Sequence, residues 1–121
     1  MEYGIGLLGT GRYVPTKQIT NPILEDWTGM PAKDILNRTG IETRYVALDD
    51  ETASAMAVAA ARQALAGAKI DAAQIGLIIV GSFTEDYVYS ALACKVQDML
   101  NAKKIQGLLM SWPIACDSKW D

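Results

Sequence analysis

Gly4, Gly6 and Gly9 in "GIGLLGTG" satisfy G-x-G-x-x-G, the spacing at which a strand-to-helix turn brings backbone N–H groups up to a pyrophosphate. That chemistry needs a strand before the first glycine and a helix opening at the motif. Only Met1, Glu2 and Tyr3 precede Gly4, and Pro15 stands where the helix should be running, biasing Val14 away from the helical region. The glycines are therefore read as letting a buried strand end pass close to neighbouring backbone. Other chemistry-bearing residues are few. Histidine is absent, which removes the commonest general base and a common metal ligand. Cys94 and Cys116 are too few and too far apart in sequence for a metal cluster or a disulfide framework, so no metal site and a reducing, cytoplasmic setting are expected. Glu85 and Asp86 are adjacent carboxylates without metal partners, expected in a solvated loop that caps the next helix.

The 121 residues suit one compact domain, and half of them are hydrophobic, enough for a real core. The net charge of −3 and the lack of any basic run beyond Lys103-Lys104 leave no nucleic-acid footprint. No apolar run approaches membrane-spanning length, and the first residues lack the basic start and long apolar stretch of a signal peptide, so none is expected.

The elements follow from spacing and punctuation. Ile5, Leu7 and Leu8 predict a short first strand. Asn21-Pro22 predicts a helix start in which Asn21 caps and Pro22 takes the first helical position, with Ile23, Leu24 and Trp27 on the core side and closure near Gly29. A second short helix is expected from Pro31 to before Gly40, with Ile35 and Leu36 inward, and an extended piece from Ile41 to Leu48. Asp50 or Thr52 caps the clearest helix, which runs to about Ala68. Its Ala57, Ala61, Ala64, Leu65 and Ala68 share one small-residue face, expected to be buried between layers. A turn at Asp71–Ile75 leads to Leu77–Val80, a glycine-bounded apolar run expected to be a strand covered on both faces, between the central helices. A helix over about Ser90–Leu100, with Leu92, Val96, Met99 and Leu100 inward, and a strand near Gly107–Met110 complete an α/β pattern.

Five ordered segments, "GLLGTGRYVP", "TNPILEDW", "NRTGIETRYVALDDETASAMAVAAARQAL", "IGLIIVGSFTEDY" and "SALACKVQDMLNAK", resemble the amino-terminal part of β-ketoacyl-acyl-carrier-protein synthase III, over about residues 4 to 104. The resemblance implies the N-terminal half of a thiolase-like fold, a mixed or parallel sheet with helices packed on it, over residues 1–106, followed by a divergent tail at 107–121. It implies an acyltransferase: a cysteine takes an acyl group from acyl-CoA, and a malonyl-carrier-protein carbanion then attacks that thioester. A CoA thioester is thus substrate, with no covalently bound cofactor. The implied partners are acyl-CoA and acyl carrier protein, with a homodimer or other self-association.

Carried onto this sequence, the nucleophile is Cys116, and Arg38 of the R-T-G-I block matches a position that helps hold the CoA nucleotide. The family's adenine-stacking tryptophan four residues earlier is Asp34 here, and Trp27 is expected in the core. Gapless alignment puts Ile114 at the nucleophile position. A two-residue insertion brings Ala115-Cys116 into register, and a shifted reading frame or a truncated gene also fits the tail. Cys94, inside the A-C-x-V-Q segment, is expected to be a small packing residue. The family's His and Asn, which stabilise the carbanion, come from a second half not represented in these residues, so the chain alone is expected not to condense. The alternative is a non-catalytic half-domain that associates with itself.

Overall fold

A computed structural model describes residues 4–82, 86, 92–103 and 110–112. The chain divides into two compact units, residues 14–52 and residues 1–13 with 53–121.

The 14–52 unit is a two-stranded antiparallel ribbon carrying two short helices. Strand β1 (Lys17–Thr20) pairs with β2 (Thr43–Val46) in the register Lys17↔Val46 to Thr20↔Thr43. Helix α1 (Asn21–Thr28) starts directly from β1, and α2 (Ala32–Thr39) follows. Both helices stop at glycines in the left-handed region, Gly29 at φ 72° and Gly40 at φ 67°, whose N–H groups donate to Glu25 O and Leu36 O. Ile19 and Ile35 are the buried hydrophobic residues of this unit.

Asn21 does not cap α1. The cap is Thr20, with extended backbone, and Asn21 is already helical. Its buried side chain instead donates from Nδ2 to Ile41 O (2.9 Å) and accepts from Arg44 Nη1 (2.9 Å), tying the helix start to the returning strand. Sequence alone favours the cap because asparagine at a helix start is a cap more often than a bridge. We expect Asn21→Ala to cost about 1.5 kcal/mol in urea unfolding, since it leaves the Ile41 carbonyl and the half-buried Arg44 without this partner. Trp27 is 61% exposed and does not join a core. On an eight-residue helix the buried side is one residue wide, and Trp27 falls beyond it. Leu36 is likewise exposed.

In the second unit, α3 (Ala53–Ala68) packs on α4 (Leu92–Leu100), and α4 packs on a parallel strand pair, β3 (Ile79–Gly81) and β4 (Met110–Trp112). The register is Ile79↔Met110, Val80↔Ser111 and Gly81↔Trp112. The core is Val58 from α3, Val96 and Leu100 from α4, and Ala102, with Ile78 and Val80 packed against it. A single 3-10 turn (Ala72–Gln74) leads into β3. It is closed by a capping box in which Asp71 accepts from Ala73 N–H (2.7 Å) and Gln74 accepts from Asp71 N–H (3.0 Å).

Four expectations need correction here. Ile5, Leu7 and Leu8 form no strand; they are exposed, and residues 4–8 find no ladder partner among the described residues. The Leu77–Val80 run is covered on one face only: Ile78 and Val80 pack against the core, whereas Leu77 and Ile79 are exposed, Ile79 by 67%. A glycine-bounded apolar run signals burial, but not which layer supplies the cover. The alanine face of α3 is half-buried, with Ala57 and Ala61 against the core and the Ala68 side chain beside Gly9. Met99 is exposed, because the buried stripe of α4 is Leu92, Ala93, Val96 and Leu100. The expected strand at Gly107–Met110 lies outside the described residues except at Met110, where β4 begins.

Gly9 and Gly11 fit the close-approach reading. A Cβ at Gly11 would run into the Ala60 carbonyl oxygen, and one at Gly9 into that of Ala64 while lying 3.0 Å from the Ala68 Cβ. Nothing lies near Gly4 or Gly6. The second half of the glycine pattern is thus a seat on α3, and no helix opens at the motif.

Candidate active site

Arg38 sits in the last turn of α2, where its charge suits the helix's carbonyl end. Thr39 Oγ1 donates to Ile35 O (2.7 Å) and accepts from Ile41 N–H (3.1 Å), so the turn that presents Arg38 is held from both sides. Arg38 is exposed, and its guanidinium makes no hydrogen bond or ion pair among the described residues. It is an accessible cation with five donors, suited to phosphate oxygens. Asp34, one turn earlier on the same face, is also exposed. Cys116 lies outside the described residues, and so does Glu85.

Cys94 departs from its expected packing role. It is exposed, and lines a shallow depression of about 250 Å³ with Gln97, Asp98, Asn101 and Lys103. These positions recur at three- and four-residue spacing on the side of α4 opposite Val96 and Leu100. The A-C-x-V-Q spelling fixes a helix but not which side of it the cysteine occupies.

Asp86 is the polar residue that spacing did not reveal. Its side chain is only 6% exposed, and it caps the preceding helix rather than the next one. Oδ1 accepts from the Ser54 N–H (3.3 Å) at the start of α3, the Ser54 hydroxyl adds a second bond, and Oδ2 accepts from Lys95 Nζ (2.7 Å) on α4. Burial by itself raises the Asp86 carboxyl; the Lys95 and Ser54 hydrogen bonds, with the Lys95 charge, outweigh it and hold the group below its ordinary value. A carboxylate so engaged is a structural clamp. Ser54, Asp86 and Lys95 lie 32 and 9 residues apart, so no local pattern announces the cluster. Among the described residues no group of three or more His, Cys, Asp or Glu side chains can hold a metal ion.

Among α3, α4 and β3 lies an open apolar cavity of about 440 Å³, with Ala61, Leu65, Ile78, Val80, Val96 and Leu100 among its walls.

No protein-family model matches the chain. Curated relatives do. The chain is 43% identical over 99 residues to the β-ketoacyl-acyl-carrier-protein synthase III of Bacillus pumilus, an alignment covering 82% of this chain and 32% of that protein. It is 42% identical over 108 residues to the synthase III of Geobacillus kaustophilus, covering 89% and 35%. The fold agrees with the sequence. The crystal structure of the Aquifex aeolicus 3-oxoacyl-acyl-carrier-protein synthase III superposes with a TM-score of 0.80 at 36% identity, over 86% of this chain and 33% of that one. The chain resembles the amino-terminal third of a synthase III. A priming β-ketosynthase from the R1128 polyketide pathway is similar too, with a TM-score of 0.81 at 34% identity, over 87% of this chain and 31% of its own. The chain therefore spans about a third of the length of the synthase III relatives it matches. The fold is that of an amino-terminal α/β portion of the thiolase type. Among the described residues no helix is long and apolar enough to cross a membrane.

Proposed function

We propose that this chain supplies the front third of a decarboxylating acyl-transfer catalyst of the synthase III type, working in the cytoplasm on acyl-CoA and malonyl-acyl-carrier protein. The observation that carries the reading is the agreement of sequence and fold with synthase III over more than four fifths of the chain, at about 40% identity. Cys116 is the nucleophile. Its thiolate attacks the acyl-CoA carbonyl, a C–S bond to Cys116 forms, and the CoA thiolate leaves and takes up a proton. Arg38 contributes to holding the CoA phosphates, and Asp34 weakens the same site because a carboxylate repels phosphate and offers no stacking face. Residues 1–106 form the thiolase-like portion and 107–121 a divergent tail around the nucleophile. With no histidine in the sequence, this portion loads an acyl group but does not stabilise the carbanion.

The test is intact-mass measurement after incubation with acetyl-CoA. The expected result is one acetyl group on Cys116, absent in Cys116→Ser and undiminished in Cys94→Ser, with no carbon dioxide released from malonyl-carrier protein. Arg38→Ala is expected to slow loading about tenfold, equivalent to about 1.4 kcal/mol, and Asp34→Trp to speed it. Failure of Cys116 to acylate would overturn the nucleophile assignment.

A second reading, a non-catalytic half-domain that associates with itself, is favoured by the exposed Leu77 and Ile79. It predicts no adduct and a concentration-dependent mass in light scattering.

A further inference from the structure

We infer that Asn21 is a positioning residue for Arg38: it holds the turn at the carboxyl end of α2 in the place from which the guanidinium reaches the phosphates of CoA. The inference rests on the reading of Arg38 as a phosphate contact and adds a group that acts through it. The Arg38 side chain makes no hydrogen bond or ion pair among the described residues, so its backbone alone fixes where the charge stands. Packing does little to fix that backbone. Ile35 is the one buried side chain of α2, and Leu36 and Ile41, on either side of Arg38 in sequence, are exposed. The placement of the turn therefore falls to hydrogen bonds.

Most of those bonds are local. Gly40 N–H donates to Leu36 O (2.7 Å), and Thr39 Oγ1 donates to Ile35 O and accepts from Ile41 N–H. They shape the turn without setting where it sits. Among the described residues, the bond that ties the turn to another element runs from Asn21 Nδ2 to Ile41 O (2.9 Å). Asn21 is itself firmly seated. It is 6% exposed, it opens α1 directly after Thr20, which is paired with Thr43, and its Oδ1 accepts from Arg44 Nη1 (2.9 Å) on β2. One buried amide thus joins the β1–β2 ribbon, the start of α1 and the end of α2. A cation on a long, unpartnered side chain gains most from such a base, because a fixed backbone lowers the ordering cost of gripping a phosphate.

The experiment titrates CoA into the 121-residue chain by calorimetry and follows amide exchange without ligand. Arg38→Ala is expected to weaken CoA about tenfold, and Asn21→Ala about fivefold, as for one ordinary hydrogen bond. The double variant should bind no more weakly than Arg38→Ala, because Asn21 acts through Arg38. Raised salt should weaken CoA less in either single variant than in the parent, the mark of a lost phosphate contact that general loosening would not leave. Exchange at Gly40 and Ile41 should rise about tenfold in Asn21→Ala and stay unchanged in Arg38→Ala. Asn21→Asp keeps the shape and the Arg44 bond and loses only the donor, so it should raise the same exchange rates even if Asn21→Ala folds poorly. Arg44→Met breaks the network on its other side and should leave CoA affinity within about twofold of the parent. Full additivity of Asn21→Ala and Arg38→Ala, unchanged exchange at Gly40 and Ile41, or an Arg44→Met loss as large as that of Asn21→Ala would each overturn the proposal. CoA affinity indifferent to Arg38→Ala would bring down the phosphate reading and the proposal with it; an effective Arg38→Ala beside a silent Asn21→Ala would sink the positioning role alone.

Discussion

Replacing Gly11 by alanine is expected to lower the stability of the chain by about 3 kcal/mol, at the upper end of what overpacking costs. The new Cβ would collide with the Ala60 carbonyl oxygen and stand 2.8 Å from the Ala64 amide nitrogen, both backbone atoms of α3. A flexible side chain could swing aside; a helix backbone cannot without breaking its own hydrogen bonds, so the 4–13 segment must lift off α3. Arg12 would lift with it, losing the bond from its N–H to Gln63 Oε1 (3.3 Å). Gly4→Ala is the control. Nothing lies within 4 Å of a Cβ there, and the change should stay within about 0.5 kcal/mol. Equal urea midpoints for the two variants would refute the close approach.

Asp86→Ala is expected to cost about 3 kcal/mol, the low end for breaking a buried ion pair, because Lys95 keeps partial access to water. The loss has two parts: the first turn of α3 loses an acceptor at Ser54, and α4 loses its tie through Lys95. Lys95→Met breaks the same tie from the other side, so the double variant should cost less than the sum of the two single changes. The pH dependence has a definite sign. The folded carboxyl titrates below its ordinary value, so its contribution is complete above about pH 4 and fades as the pH falls through the lower, folded-state value. The parent chain should lose more stability than Asp86→Ala between pH 5 and acid conditions. Parallel curves for the two would show that Asp86 is not held ionised by this cluster.

The local elements were legible because they depend on neighbours in sequence. Gly29 and Gly40 end their helices where the glycine signal places them, and the alanine-rich run yields α3 to Ala68. Thr43–Val46 is extended as expected, with Arg44 half-buried. The family, too, was legible, since five ordered motifs are hard to assemble without common descent. The candidate site was less so: Arg38 could be placed on a helix end by pattern, but Asp86 could not be separated from a solvated loop, nor Cys94 from a core position. Each depends on what stands opposite, which residues tens of positions away decide.

By itself, then, the amino-acid order determined the helical type of α1 to α4 and the glycine ends of α1 and α2, the α/β class, the likeness to a synthase III, and the lack of imidazole chemistry. Only the tertiary structure decided that Ile78 and Val80 enter the core while Leu77 and Ile79 do not, that Asn21 bridges rather than caps, that Asp86 clamps α3 to α4, and that Gly9 and Gly11 seat the chain on α3. The reason is physical. Helix periodicity and turn chemistry act within a few residues, whereas burial, ion pairing and close approach depend on which distant surface arrives, and no local spacing records that.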